Sequence, residues 1–207
     1  MAKDSFVPEV VILRLPLYIR ALTQMSTEGQ TVISSKSLGD RLQITPAQIR
    51  KDLSYFGRFG KQGRGYKIES LVAELTNILG LNRQWNSCIV GVGRLGKAII
   101  NYPGFVPEGF KIIYAFDNDQ SKVGQTVNEI KILPMNEIKA IVKDNNIKIA
   151  ILAVPATIAQ NVISDLVETN IKAILNYAPI APKVPNGLIV RNIDPVLSLQ
   201  SMTYYLD

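Results

Sequence analysis

The chain has 207 residues, 47% of them hydrophobic, which is enough apolar material for one or two compact domains. One cysteine excludes an internal disulfide framework and is typical of a reducing compartment. The N-terminus lacks an apolar signal core and the hydrophobic stretches are too short to span a membrane, so we expect a cytoplasmic protein without a membrane partner.

The net charge of +6 is concentrated in one segment. Residues 34–67 contain eight Lys or Arg and two Asp, a net charge of +6, so the other 173 residues sum to zero. Charge confined in this way indicates a surface that contacts a polyanion, because a bias that serves solubility would be spread over the chain.

A helix is predicted near the start of the chain. Apolar residues recur at helical spacing from Pro8 to about Ser26. Pro16 falls inside this segment and should kink the helix or divide it in two, because proline cannot donate a backbone hydrogen bond. After the turn TEGQ, the fragment TVIS is predicted to be a short strand.

The next two predicted helices are short. Ser34 or Ser35 is expected to cap the first, which runs to about Leu42. Thr45 is the predicted N-cap of the second, with Pro46 at its first helical position. A turn of about three residues between two such helices is the spacing of a helix-turn-helix.

The second of these helices is the predicted recognition helix, which would bury Ile49 and Leu53, with Phe56 beside them. The glycine-rich stretch FGKQGRGYKI then predicts a tight, basic hairpin, which after a recognition helix would be a wing. The candidate DNA-binding residues are Thr45, Gln48, Arg50, Lys51, Ser54, Tyr55, Arg58, Lys61 and Arg64.

These residues suit different parts of a DNA duplex. Gln48, Arg50 or Lys51 would reach base edges in the major groove, whereas Lys61 and Arg64 suit phosphates or the minor groove. For the helix alone, an ordinary solvated surface is an equal alternative. The turn spacing, the basic hairpin and the charge total together favour DNA.

The rest of the chain predicts an α/β domain. The segment IESLVAELTNILG is predicted to be a helix that ends at Gly80, and LNRQWNS a linker. From Ser87, strands and helices alternate, as in a parallel sheet. The predicted strands are CIVGVG, KIIYAFDND, IKIAILAVP, IKAILNYAP and GLIVRNID, with helices in RLGKAIINY, PMNEIKAIVKDN, ATIAQNVISDLVETN and DPVLSLQSMTYYLD.

The predicted fold class is therefore α/β. We expect a winged-helix DNA-binding domain over residues 1–80 and a Rossmann-type parallel-sheet domain over residues 81–193. Residues 194–207 would form a C-terminal helix.

The motif GVGRLG between a predicted strand and a predicted helix is typical of a dinucleotide-binding turn. Gly91 would allow the tight turn, Gly93 the approach of a pyrophosphate, and Gly96 close packing of helix and strand. The next strand ends in Asp117, 21 residues after Gly96, where an acid binds ribose hydroxyls and repels a 2′-phosphate. NAD(H) is therefore expected in preference to NADP(H); a glycine turn with a solvated Asp is the alternative.

The residues of a hydride-transfer catalyst are missing. The chain has no histidine and no Tyr-x-x-x-Lys pair, and no cluster resembles a metal site. This favours a sensor without catalytic residues. Two alternatives stay open: an NAD-dependent oxidoreductase whose N-terminal helices serve oligomerisation, and a DNA-binding protein with another nucleotide ligand.

The stretches ITPAQIRKDLSYFGRFGKQGRGY, GVGRLGKAIINYPGF, FDNDQSKVG, AVPA and NYAP resemble the Rex redox-sensing transcriptional repressors over nearly the full length. The resemblance implies a homodimer in which the last helix is swapped onto the partner. It also implies a repressor of palindromic operator DNA that NADH releases, while NAD+ competes and permits binding. NAD(H) would then be a regulatory ligand.

The resemblance also implies roles for single residues. Arg94 and Tyr102 are similar to switch residues that contact an Asp of the other subunit, for which Asp194 is the best match. Pro195 stands where a large apolar residue is expected, and Arg58 and Arg64 add charge at positions that are often less basic. The expected dinucleotide-binding residues are Gly91, Val92, Gly93, Arg94, Leu95, Gly96, Tyr102, Asp117, Val154, Pro155, Ala156, Asn176, Tyr177 and Asp194, with Val154, Pro155, Ala156, Asn176 and Tyr177 on the nicotinamide side.

Overall fold

The structure is a computed structural model that describes residues 7–60 and 65–206. It divides the chain into two compact units, Met1–Arg83 and Gln84–Asp207. Each unit has hydrophobic clusters of its own. Within the described residues, none of the helices is both long enough and apolar enough to cross a bilayer.

The described part of the N-terminal unit consists of helices around a small core and one short antiparallel ribbon. The core takes buried apolar side chains from the helices, among them Leu15, Leu38, Leu53 and Leu75. The elements are α1 (Glu9–Thr27), β1 (Val32–Ile33), α2 (Ser35–Leu42), α3 (Pro46–Ser54), β2 (Tyr66–Lys67) and α4 (Ile68–Leu79).

Helix α1 runs without interruption through Pro16, so division into two helices, one of the two expected effects of this proline, is wrong, and a kink stays a prediction. Pro16 is exposed, whereas its neighbours Leu15, Tyr18 and Leu22 are fully buried. Proline inside a helix costs about 3 kcal/mol, but burial of several large side chains on one face outweighs that cost.

The predicted helix caps are confirmed. The Ser34 hydroxyl accepts a hydrogen bond from the Ser37 N–H at 3.0 Å, and the Thr45 hydroxyl accepts one from the Gln48 N–H at 3.2 Å. Gly80 ends α4 in the left-handed conformation. These caps fix α2 and α3 as the two helices of a helix-turn-helix.

The ribbon after α3 pairs differently from the predicted hairpin. Strand β2 pairs antiparallel with β1, which precedes α2, so the wing includes a strand from the other side of the two helices. A Cβ added to Gly60 would lie 2.6 Å from the Gly65 carbonyl oxygen, so Gly60 and Gly65 lie close together. The predicted tip residues Lys61 and Arg64 lie outside the described residues.

The C-terminal unit is a sheet with helices. Strand β3 begins at Trp85, inside the segment predicted as a linker, and the sequence analysis missed both β5 and β6. The elements are β3 (Trp85–Val90), α5 (Arg94–Ile100), β4 (Phe110–Asp117), β5 (Thr126–Val127), β6 (Ile130–Pro134), α6 (Ile138–Asp144), β7 (Ile149–Leu152), α7 (Ala156–Val167), β8 (Ala173–Asn176), β9 (Ile189–Asn192) and α8 (Pro195–Thr203).

The order of the strands is β5-β6-β4-β3-β7-β8-β9, and every pair except β5–β6 is parallel. Without the β5 edge this is the doubly wound order of a dinucleotide-binding fold. The order reverses between β3 and β7, and ligands bind such sheets in the crevice beyond the carboxyl ends of those strands. The topology therefore directs attention to the segments after Val90 and Leu152.

Candidate dinucleotide site and DNA-binding surface

Two glycines after β3 are required by packing. Gly91 has a φ of +94°, and a Cβ added to it would clash with the Ala153 carbonyl oxygen. A Cβ on Gly96 would clash with the Gly91 carbonyl oxygen, so α5 packs directly against the turn. These two positions have the local roles expected of a dinucleotide-binding motif.

Gly93 differs from its neighbours. It is the N-cap residue of α5 with a φ of −79°, which any residue can adopt, and a Cβ added there would meet nothing within 4 Å. The fold itself does not require glycine here. The open space lies where N–H groups at the start of a helix can meet a phosphate.

Asp117 at the end of β4 is tied to the glycine turn. Its Oδ2 accepts a hydrogen bond from the Val92 N–H at 2.8 Å, and its Oδ1 accepts one from the Asp119 N–H at 2.9 Å. The Lys122 ammonium lies 3.1 Å from Oδ2. The alternative of a solvated Asp therefore does not hold, because this carboxylate is buried and positioned beside the turn.

The same contacts set the charge of Asp117. Burial by itself would raise its pKa, but the backbone N–H groups of Asp119 and Val92, together with Lys122, hold the pKa of this carboxyl below its usual value. Asp117 is therefore ionised at neutral pH. A fixed, ionised carboxylate is the group that accepts hydrogen bonds from two ribose hydroxyls and repels a 2′-phosphate.

The segment after β7 lies against the glycine turn. The Ala153 N–H donates to the Val90 carbonyl oxygen at 2.8 Å, so the ends of the two central strands are joined. Val154 is half-buried, and Pro155 and Ala156 are exposed at the start of α7. The fold thus brings AVPA to the crevice that contains GVGRLG.

Asn176 and Tyr177 follow at the end of β8, the next strand. Tyr177 is half-buried, and its N–H donates to the Leu152 carbonyl oxygen at 2.9 Å. Asn176 is fully buried, and its carboxamide is hydrogen-bonded to Ala178 and Asn192. Tyr177 therefore borders the crevice, while the Asn176 side chain points into the protein.

One chain does not bring the three expected switch residues together. Arg94 is exposed at the start of α5, whereas Tyr102 follows the end of that helix and packs edge-to-face against Phe105. Asp194 follows β9, three strands away from β3, and caps α8 by accepting a hydrogen bond from the Val196 N–H. Leu95, beside Arg94, is also exposed.

The recognition helix, α3, presents both of its cations to solvent. Arg50 is exposed and its guanidinium donates to the Ser35 hydroxyl at 3.0 Å, while Lys51 is also exposed. Thr45, Ser54 and Arg58 are exposed as well, and Tyr55 is half-buried. We call the exposed cations in and just after α3 the α3 surface; they are Arg50, Lys51 and Arg58.

Gln48 does not belong to that exposed set. It is half-buried, and its side-chain amide donates to Asp52 Oδ1 at 2.7 Å. This contact does not fit the prediction that Gln48 reaches base edges, because a buried acid on the same helix face, one turn further along, takes up its amide.

Sequence reasoning missed the importance of Asp52 itself. This carboxylate is completely buried and accepts hydrogen bonds from Arg14 at 2.5 and 2.7 Å and from the Tyr18 hydroxyl at 2.5 Å. Burial would raise its pKa, yet Arg14, Tyr18 and Gln48 together hold that pKa below its usual value. The signal in the sequence is the pair Arg14 and Tyr18, two polar residues that lie four positions apart on the core-facing side of α1.

Two family models match the chain. The one described as "Putative DNA-binding protein N-terminus" matches residues 6–54, and the one described as "CoA binding domain" matches residues 82–180. The first covers the helix-turn-helix and the second covers the strands and turns that form the crevice. Each model therefore falls on one of the two sites described above.

Curated relatives match over their full length. The redox-sensing transcriptional repressor Rex of Chloroflexus aurantiacus is 50% identical over 206 residues, which cover 100% of this chain and 97% of that protein. The Rex repressor of Carboxydothermus hydrogenoformans is 43% identical over 202 residues, which cover 98% of this chain and 97% of that protein.

Solved structures give the same result. The crystal structure of RSP in complex with β-NAD+ and operator DNA has a TM-score of 0.92 and 38% identity, and the match covers 98% of this chain and 94% of RSP. RSP in complex with β-NADH has a TM-score of 0.88 and 36% identity. RSP is described as a Rex-family repressor. On these matches, this chain belongs to the Rex family of redox-sensing transcriptional repressors.

Proposed function

We propose that this chain is a dimeric repressor that holds operator DNA and releases it when NADH occupies the crevice after β3 and β7. The observation that carries this is the joint presence, in one chain, of the α3 surface and of a glycine turn with an ionised acid beside it. Membership of a family of transcriptional repressors favours this function over the oxidoreductase alternative. No residue is assigned a catalytic role.

The dinucleotide would lie across the carboxyl edge of the sheet. Its pyrophosphate would meet the N–H groups at the start of α5, from Arg94 to Gly96, in the open space at Gly93. Asp117 would accept the adenosine ribose hydroxyls, and the segment Val154–Ala156 with Tyr177 would border the nicotinamide. The RSP structures with β-NAD+ and with β-NADH support this choice of ligand.

Operator DNA would meet the α3 surface. Arg50 and Lys51 are exposed on the helix expected in the major groove, and Arg58 extends the positive charge beyond its end. Thr45, Ser54 and Tyr55 are polar neighbours for phosphate contacts. Lys61 and Arg64 remain proposed wing contacts from the sequence alone, and RSP, which is 38% identical, was crystallised with operator DNA.

A second copy of the chain is the proposed partner. The C-terminal helix and the residues after it expose a set of apolar side chains that a single chain leaves uncovered. A homodimer in which residues 194–207 cross to the partner would bury this set, and Arg94, Tyr102 and Asp194 would then meet between subunits. The exposed apolar residues of this segment are Val196, Leu197, Leu199, Met202, Tyr204, Tyr205 and Leu206.

The redox state would be read from the dinucleotide and not from a thiol. Cys88 is fully buried in β3, and burial raises the pKa of its thiol to about 12. A buried, protonated thiol is inert towards oxidants.

A repressor must also reach the chromosome, and we therefore place this one in the cytoplasm.

The test is a titration at fixed ionic strength. A palindromic operator, selected by the protein from random duplexes, would be labelled and bound, and NADH, NAD+, NADPH and coenzyme A would be added in turn. We expect NADH to lower operator affinity, NAD+ to compete with NADH, and NADPH to act weakly. Release by coenzyme A alone would favour the ligand named in the matching family model. Unchanged affinity with every ligand would overturn the proposal.

A further inference from the structure

We infer that Asn176 is a positioning residue that joins the loop after β8 to the start of α8. Ligand binding in the crevice would then affect the position of α8 through the hydrogen bond between Asn176 and Asn192. The inference rests on the proposed function, because it needs NADH to act at the carboxyl edge of the sheet and α8 to contact a partner subunit. Nothing in the expected dinucleotide contacts assigns a role to Asn192.

The contacts of the Asn176 side chain are all internal. Its amide nitrogen donates to the Ala178 carbonyl oxygen at 2.9 Å and to Asn192 Oδ1 at 2.9 Å. Its Oδ1 accepts from the Ala178 N–H at 3.0 Å. Both N–H groups of the carboxamide are therefore used, and the residue is fully buried. Such a group positions its neighbours and has no donor left for a ligand.

Two hydrogen bonds connect the Asn176 side chain to the loop at the crevice. The Asn176 carboxamide is hydrogen-bonded to both the N–H and the carbonyl oxygen of Ala178. Ala178 belongs to the loop that begins at Tyr177. That loop is joined to the central strands, because the Tyr177 N–H donates to Leu152 at the end of β7. A ligand that displaces Tyr177 or Ala178 therefore acts directly on the hydrogen bonds of Asn176.

The other side of Asn176 leads to α8. Asn192 is its register partner in β9, and the Ile193 N–H donates to the Asn176 backbone carbonyl oxygen at 2.8 Å. The next residue, Asp194, accepts a hydrogen bond from the Val196 N–H at 2.9 Å and so caps α8. Side chain and backbone of one asparagine thus hold the two residues that precede the helix cap.

Buried hydrogen bonds of this kind favour discrete arrangements over gradual ones. A carboxamide with all its N–H groups paired cannot rotate a little without leaving a buried donor unpaired. If the loop after β8 shifts, Asn192 must therefore shift with it, or the hydrogen bond between Asn176 and Asn192 is lost. Weakening the Asn176–Asn192 link should uncouple the crevice from α8 while leaving both sites intact.

The test compares two substitutions of Asn192 in the full-length protein. Asn192→Ala removes the acceptor for Asn176, whereas Asn192→Asp keeps an oxygen in the same place. Asn192 is exposed at the last position of β9, so neither change opens a cavity. Asn161→Ala, an exposed change on α7 in the same unit, is the matched control. The coupling is measured as the ratio of operator affinities without and with saturating NADH.

We expect Asn192→Ala to reduce this ratio by about fivefold, the factor that one ordinary hydrogen bond provides, with NADH affinity in the absence of DNA within about twofold of wild type. Asn192→Asp and Asn161→Ala should keep the wild-type ratio. By reciprocity, operator DNA should weaken NADH binding less in Asn192→Ala than in wild type.

A wild-type ratio in Asn192→Ala would overturn the inference, as would a loss in Asn192→Asp equal to that in Asn192→Ala. Failure of the proposed function is distinguishable, because wild type itself would then show no response to NADH. Thermal unfolding of each variant identifies any that lose the fold, and Asn192→Asp then decides alone, because a lowered ratio in that variant would overturn the inference.

Discussion

Arg14 of α1 and Asp52 of the recognition helix form a two-point ion pair, with Nε 2.5 Å from Oδ2 and Nη2 2.7 Å from Oδ1. Tyr18 and Gln48 complete the shell around the carboxylate. A fork of this geometry fixes direction as well as distance. Helix α1 therefore sets how α3 is turned, and with it which side chains the α3 surface presents.

Removing the charge of Asp52 should destabilise the N-terminal unit. We expect Asp52→Asn to lower the free energy of unfolding by about 3 kcal/mol, because Arg14 loses its partner and a well-paired buried group is replaced by one that cannot accept at both oxygens. Tyr18→Phe, which removes one of the hydrogen bonds, should cost about 1 kcal/mol. Urea unfolding measures both, and equal stability of Asp52→Asn and wild type would contradict this reading.

The same pair predicts a pH dependence. The pKa of Asp52 is lowered in the folded chain, so its stabilisation is present above the usual aspartate pKa of about 4 and is lost as pH falls through the folded value. Wild type should therefore lose stability steeply on acidification below about pH 4. The difference in stability between wild type and Asp52→Asn should shrink over that range; a constant difference would exclude Asp52 as the cause.

Two glycines of one motif should respond differently to alanine. Gly93→Ala should leave the thermal midpoint within about 2 °C of wild type but abolish tight NADH binding, because its Cβ enters space that only a ligand would fill. Gly96→Ala should destabilise the C-terminal unit, because its Cβ meets the Gly91 carbonyl oxygen. Calorimetric unfolding and NADH fluorescence separate the two effects. Tight NADH binding by Gly93→Ala would contradict the proposed position of the pyrophosphate beside Gly93.

Asp117 should matter for the ligand and not for DNA. Asp117→Ala removes the acceptor for the Val92 N–H and the proposed ribose contact, so we expect NADH affinity to fall tenfold or more, roughly the strength of one charged hydrogen bond. Operator affinity without NADH should stay unchanged, because the proposed DNA contacts lie in the other unit. Parallel NADH and operator titrations measure this, and equal loss of both would contradict it.

The α3 surface makes a prediction about salt. Lys51→Ala should reduce the slope of log affinity against log salt concentration by about 1, the change for one lost phosphate contact. The matched control is Lys172→Ala, an exposed lysine of the C-terminal unit, which should leave the slope unchanged. Operator binding at several salt concentrations provides the slopes. If both variants shift the slope equally, the effect is one of net charge and not of a contact.

Elements with a local chemical cause were predictable. Ser34, Thr45 and Gly80 mark helix ends because a cap needs only its own neighbours in the chain. The β5–β6 hairpin was missed because Asn128 and Glu129 fill its two-residue turn, both with positive φ, where Asn-Gly is the recognisable pattern. Pro16 does not end α1, because burial of one face of the helix outweighs the local preference of proline.

Both proposed sites could be predicted from the sequence, since the spacing in GVGRLG and the charge of residues 34–67 are properties of contiguous segments. The contacts that hold those residues in place could not be predicted in this way. The Val92 N–H meets Asp117 across 25 positions, and Arg14 meets Asp52 across 38. Such pairs leave no periodic trace in one sequence, because a buried charge finds its partner through the fold and not through its neighbours in the chain.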